Sequence, residues 1–97
     1  KAWIQIAALR VVLFLGFYFH ITSNEWVLLI LTSGLVVTAE AFNTAIEIDI
    51  DLTSPEHHPY ARDTKDVAAG AVLIASITAA IVGIIVFGHY FMGAIGP

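Results

Sequence analysis

Two carboxylates and a carboxamide stand in the run Ala39-Glu40-Ala41-Phe42-Asn43-Thr44-Ala45-Ile46-Glu47, at the end of a long apolar stretch. On a helix, positions 40, 43 and 47 fall on one face, and Asp51 carries the same row one turn further. A charged side chain at the centre of a membrane helix costs roughly 2.5–3.5 kcal/mol, so such residues mark ion, proton or substrate chemistry. Glu40, Asn43 and Glu47 are therefore the first candidates for a site. The chemistry that suits them is proton transfer and the binding of a hard cation. Magnesium takes oxygen ligands, typically one or two carboxylates with phosphates and water, and Glu47 suits it better than a histidine would. Glu40 lies deeper along the apolar run and is the better candidate for a general base.

A second group of chemical residues follows. Glu56, His57 and His58 precede Pro59, and Lys65 and Asp66 precede another apolar block. Phosphoryl transfer needs a metal-holding carboxylate, a cation on the phosphates and a group to take the hydroxyl proton. Glu47, Lys65 and Glu40 can supply these three. Neither a GxxxxGK[ST] loop nor a protein-kinase loop set is present, so a nucleotide site must be built differently. Each assignment has a bland rival. The two acids can snorkel or bond between helices, Asp51 can solvate or cap a loop, and the histidine pair, which invites a zinc reading, is more often solvated surface. Lys65 and Asp66 can be the capped start of a helix, although lysine there opposes the helix dipole.

The elements that must position these residues are apolar helices. Of 97 residues 59% are hydrophobic and only 12% charged, a balance that points to a membrane protein. Seven of the twelve charges, Asp49, Asp51, Glu56, Arg62, Asp63, Lys65 and Asp66, share one segment. That acidic patch argues against nucleic acid as a partner. The absence of cysteine excludes disulfides and thiolate metal sites. We expect one all-α domain over residues 1–97, with spans at about 2–19, 25–48 and 67–90 and a polar loop at 49–66 broken by Pro55 and Pro59. Ser23 or Asn24 is the expected cap of the second helix, and Trp3, Tyr18, Trp26 and Tyr90 fall near segment ends, where aromatics favour the headgroup zone. Arg10 interrupts the first span and either snorkels or pairs with an acid across a subunit boundary. Ala71, Ala75, Ala79 and Gly83 recur every four residues, a seam for close helix packing.

Lys1, Arg62 and Lys65 against an uncharged first turn put the amino end and the 49–66 loop in the cytoplasm. The first segment lacks the marks of a signal peptide. A chain of this length buries little core alone, so oligomerisation is expected.

The blocks Glu40-Ala-Phe-Asn43-Thr-Ala-Ile-Glu47, Asp51, Glu56-His57-His58-Pro59 and Lys65-Asp66-Val-Ala-Ala-Gly-Ala-Val-Leu resemble the prokaryotic diacylglycerol kinase and undecaprenol kinase family. The match extends from about residue 20 to 90. The resemblance implies a homotrimeric bundle of three-span subunits in the bacterial cytoplasmic (inner) membrane, with the active site facing the cytoplasm. It implies ATP as co-substrate with Mg2+, and a membrane lipid, undecaprenol or diacylglycerol, as acceptor. By motif, Glu40 is similar to the catalytic base, Glu47 to the magnesium ligand and Asn43 to the polar support between them. Glu56, His57, His58, Lys65 and Asp66 are similar to nucleotide-binding positions, while Glu40, Asn43 and Ala69 correspond to substrate contacts. The family's amphipathic surface helix, with a further metal-binding glutamate, would fall just before Lys1. Departures are Arg10 within a span, Asp49 at a usually apolar or basic position, and His57 where tyrosine is frequent. The His-Pro loop and the Ala-Ala-Gly-Ala-Val-Leu run look more like the undecaprenol-kinase branch. The competing reading is a small oligomeric cation channel or carrier lined by Glu40, Asn43 and Glu47.

Overall fold

The computed structural model describes residues 2–54 and 58–95. It holds three helices, α1 (Ala2–Phe19), α2 (Ser23–Thr53) and α3 (Pro59–Ile95), and no strand among the described residues. Helix α1 closes without a glycine. His20 takes the left-handed conformation at φ 51°, and the Ile21 amide donates back to the Gly16 carbonyl at 3.2 Å. This is a Schellman closure with histidine, one of the few side chains enriched in that region, in the usual glycine position.

Helix α2 is capped by Thr22, not by Ser23 or Asn24. The Glu25 amide donates to Thr22 Oγ1 at 3.2 Å and the Thr22 amide to Glu25 Oε1 at 2.8 Å. Thr22 is the position with a glutamate three residues on, which is what a reciprocal capping box requires.

The expected polar loop at 49–66 is mostly helix. Residues 49–53 complete α2, where the Ser54 amide donates to the Ile50 carbonyl at 2.8 Å, and residues 59–66 open α3. Pro59 starts a helix here instead of breaking one, because at the first helical position its missing N–H has no partner to lose. The Tyr60 amide donates to His58 Nδ1 at 3.1 Å, so the imidazole serves as the cap. Lys65 and Asp66 consequently lie well inside α3 and do not form its capped start.

Packing is dominated by α2 against α3. The small core sits at the α1–α2 turn, where Ile21, Leu29, Val86 and Phe87 are buried. Along the small-residue seam Ala75 is buried, Ala79 and Gly83 are half-buried and Ala71 is exposed. Elsewhere large apolar side chains face outward, including Phe14, Leu31 and Ile84 at 68%, 65% and 71% exposure. Helices α2 and α3 are long and apolar enough to cross a membrane, and α1 is a shorter apolar helix. An apolar exterior of this kind suits lipid or neighbouring subunits. Both α2 and α3 exceed the roughly 20 residues that span a bilayer, so their polar ends can project beyond the hydrocarbon.

Trp26 is not simply an interface aromatic. Its indole lies under Gly16 and tilts against Phe17 at a centroid distance of 5.2 Å. A Cβ on residue 16 would overlap that ring. Gly16→Ala is expected to destabilise the chain, because overpacking costs about 1–3 kcal/mol against a helix-propensity gain of about 1 kcal/mol. Thermal unfolding in detergent would read the difference, and an unchanged or higher midpoint would contradict it.

Candidate functional site

Helix α2 carries Glu40, Asn43, Glu47 and Asp51 along one side, and the environment changes from residue to residue. Glu40 is half-buried and accepts a hydrogen bond at its Oε2 from Gln5 Nε2 of α1, at 2.9 Å. One turn on, the Asn43 carboxamide oxygen is buried and has no hydrogen-bond partner among the described residues. A buried acceptor left unpaired costs about 1–3 kcal/mol, so this oxygen calls for a donor from a substrate hydroxyl, a metal-bound water or another chain. Glu47 is exposed and makes no hydrogen bond among the described residues.

Asp51 neither caps nor merely solvates a loop. Lys65 Nζ of α3 donates to its Oδ1 at 2.6 Å, across a pair in which Asp51 is well exposed and Lys65 partly so. Screened pairs of this kind contribute about 0–1 kcal/mol, so an anion can take Lys65 from Asp51 at little cost. Asp66 and Ala69 are exposed on α3. His58 spends its Nδ1 on the α3 cap, with its ring 5.5 Å from that of Tyr60. Glu56 and His57 lie outside the described residues. The structure thus joins Glu40 to Gln5 and Asp51 to Lys65, and leaves Glu47 open to incoming ligands.

Among the described residues no three histidines or acids converge on a metal position. The donors that are present are nonetheless hard oxygens: the Asn43 oxygen and the Glu47 carboxylate, one turn apart on α2, are of the type that would suit a magnesium ion. A cavity of about 370 Å³ opens between the three helices, and it is apolar apart from Gln5, Thr32, Ser33 and Ser76. Gln5 thus borders both the cavity and the Glu40 carboxylate. Sequence reasoning passed over Gln5. The available signal was an amide in an apolar helix, but its partner lies 35 residues away.

The far end holds a second polar group. Glu25, besides closing its capping box, accepts a hydrogen bond from the Tyr90 hydroxyl and stands 3.0 Å from His89 Nε2, so the start of α2 is clasped to the end of α3. Glu25→Ala is expected to lower the unfolding midpoint. Combined with Tyr90→Phe, it should cost less than the two single losses together, since both remove the same bond. Strict additivity would show that the clasp carries no shared energy.

An all-helical protein with two membrane-length helices, and with an acid–amide–acid row on one of them, is the class that fold and site define. The family model described as prokaryotic diacylglycerol kinase matches residues 1–87, taking in α1 as well as the part from residue 20 onward. The chain belongs to that family. It is 40% identical over 81 residues to the undecaprenol kinase of Bacillus subtilis (strain 168), an alignment covering 84% of this chain and 66% of the relative. To the diacylglycerol kinase of Helicobacter pylori (strain ATCC 700392 / 26695) it is 37% identical over 83 residues, covering 78% and 65%. To that of Escherichia coli (strain K12) it is 33% identical over 97 residues, covering 93% and 80%. The chain thus spans just under two thirds of the length of the first two relatives. No solved structure gives a significant match.

Proposed function

We propose that the protein is an MgATP-dependent lipid kinase that phosphorylates the hydroxyl of undecaprenol or diacylglycerol at the cytoplasmic face of the bacterial membrane. The observation that carries this reading is the Glu40–Asn43–Glu47 row on α2, in a chain of a family whose relatives are named as kinases of these two lipids. Glu40 takes the proton of the lipid hydroxyl, whose oxygen bonds to the γ-phosphorus as the bond to ADP breaks. Half-burial limits the access of water to that position. Asn43 holds the hydroxyl or a metal-bound water through its unpartnered oxygen, and Ala69 lets the substrate approach α3 closely.

Glu47 would hold Mg2+, which when bound would supply positive charge against the phosphates of ATP. Lys65 leaves Asp51 for the phosphates. Glu56, His57, His58 and Asp66 complete the nucleotide site from the α2–α3 connection and the first turns of α3. The positive-inside rule, applied to Arg62 and Lys65, supports a cytoplasmic position for that connection. The family resemblance implies a homotrimer of three-span subunits, and the apolar exterior that one chain leaves exposed supports this reading, since three copies around a common axis would cover part of it.

The test is transfer of labelled γ-phosphate by the full-length protein in mixed micelles, with the two lipids offered in parallel. Labelling of either lipid supports the reading, and the relative rates identify the acceptor. The His-Pro loop favours undecaprenol. No labelling of either lipid by a verified trimer would overturn the kinase and favour a cation path lined by Glu40, Asn43 and Glu47.

A further inference from the structure

We infer that Gln5 is the positioning residue for Glu40, acting through the hydrogen bond from its carboxamide nitrogen to Glu40 Oε2 at 2.9 Å. The inference rests on the assignment of Glu40 as general base. A carboxylate has two equivalent oxygens and a freely turning terminal bond, and a base that works on one hydroxyl needs one oxygen presented at one angle. Gln5 supplies that constraint from outside α2. Its N–H occupies Oε2 and leaves Oε1 to receive the proton.

The bond is half-buried at both ends, so water competes for it weakly. It also comes from a helix that is otherwise loosely joined to α2. The main α1–α2 packing lies at the other end of α1, where Gly16 and Phe17 meet Trp26. A glutamine in an otherwise apolar face would be a liability if it only filled space, because the cavity wall beside it is built from Ile4, Ala8, Leu9 and Val12. Leucine or methionine would suit that wall better. Glutamine earns its place through the carboxylate it holds.

This predicts a specific kinetic pattern. Gln5→Leu and Gln5→Met, both compatible with the apolar wall, should lower kcat about 10- to 100-fold while KM for ATP and for the lipid stays near the starting value. Unfolding midpoints should stay level or rise. The decisive measurement is a double-mutant cycle in the full-length protein. In a Glu40→Gln background, where no base remains to be aligned, Gln5→Leu should cost nothing further. Wild-type kcat in both single variants, a loss confined to KM, or a full additional loss in the Glu40→Gln background would overturn the positioning role. If Glu40→Gln itself leaves phosphate transfer unchanged, the assignment of Glu40 as base fails, and that result is distinct from a failure of Gln5 alone.

Discussion

Glu40→Gln is expected to lower lipid phosphorylation by about 10²–10⁴-fold, the range typical of a lost general base, with ATP binding left nearly intact. The substitution is nearly isosteric. The new carboxamide oxygen can still accept the Gln5 N–H, so the α1–α2 contact and the local packing should survive. What disappears is the capacity to take a proton. The nucleotide-binding candidates lie farther along the hairpin, at Glu47, His58, Lys65 and Asp66, which is why nucleotide affinity should hardly change. Single-turnover transfer with labelled ATP, beside equilibrium binding of a non-hydrolysable analogue, separates the two effects. Transfer at the wild-type rate would remove Glu40 from the chemistry. Loss of ATP binding with retained cation flux would favour the channel reading.

The contrast between what sequence reasoning reached and what it missed is physical. The Glu40–Asn43–Glu47 row was readable because it depends only on the 3.6-residue period within one helix. The apolar run of α3 was readable because its length and uninterrupted hydropathy admit little else. Pro59 misled because proline breaks a helix from inside and starts one from its first position, and only the neighbouring cap decides which. His58 provides that cap, a role its residue type does not advertise. The same limit hid the partners of the site residues. Gln5 and Glu40 are 35 residues apart, Lys65 and Asp51 are 14 apart, and Glu25 and Tyr90 are 65 apart. Periodicity orders residues on one helix but does not say which face of another helix meets them. Trp26 is read by type as a headgroup-zone aromatic, and type alone does not show that the gap left by Gly16 receives its ring against α1.

Glu47→Gln should separate metal binding from proton transfer. Glu47 is exposed and makes no hydrogen bond among the described residues, so its replacement should leave the fold and the unfolding midpoint essentially unchanged. A carboxamide keeps an oxygen but loses the charge that holds a strongly hydrated divalent ion. The expected result is a transfer rate on the order of 10²-fold lower at ordinary Mg2+, as for the loss of one electrostatic contact to developing charge. The Mg2+ concentration required for half-maximal rate should move upward, so that excess metal recovers part of the loss. Glu40→Gln should show no such recovery, because metal cannot substitute for a missing base. Assaying both variants across a Mg2+ titration assigns the two acids of one stripe to two different jobs. Identical, metal-independent losses would show that Glu47 is not the residue that holds the ion.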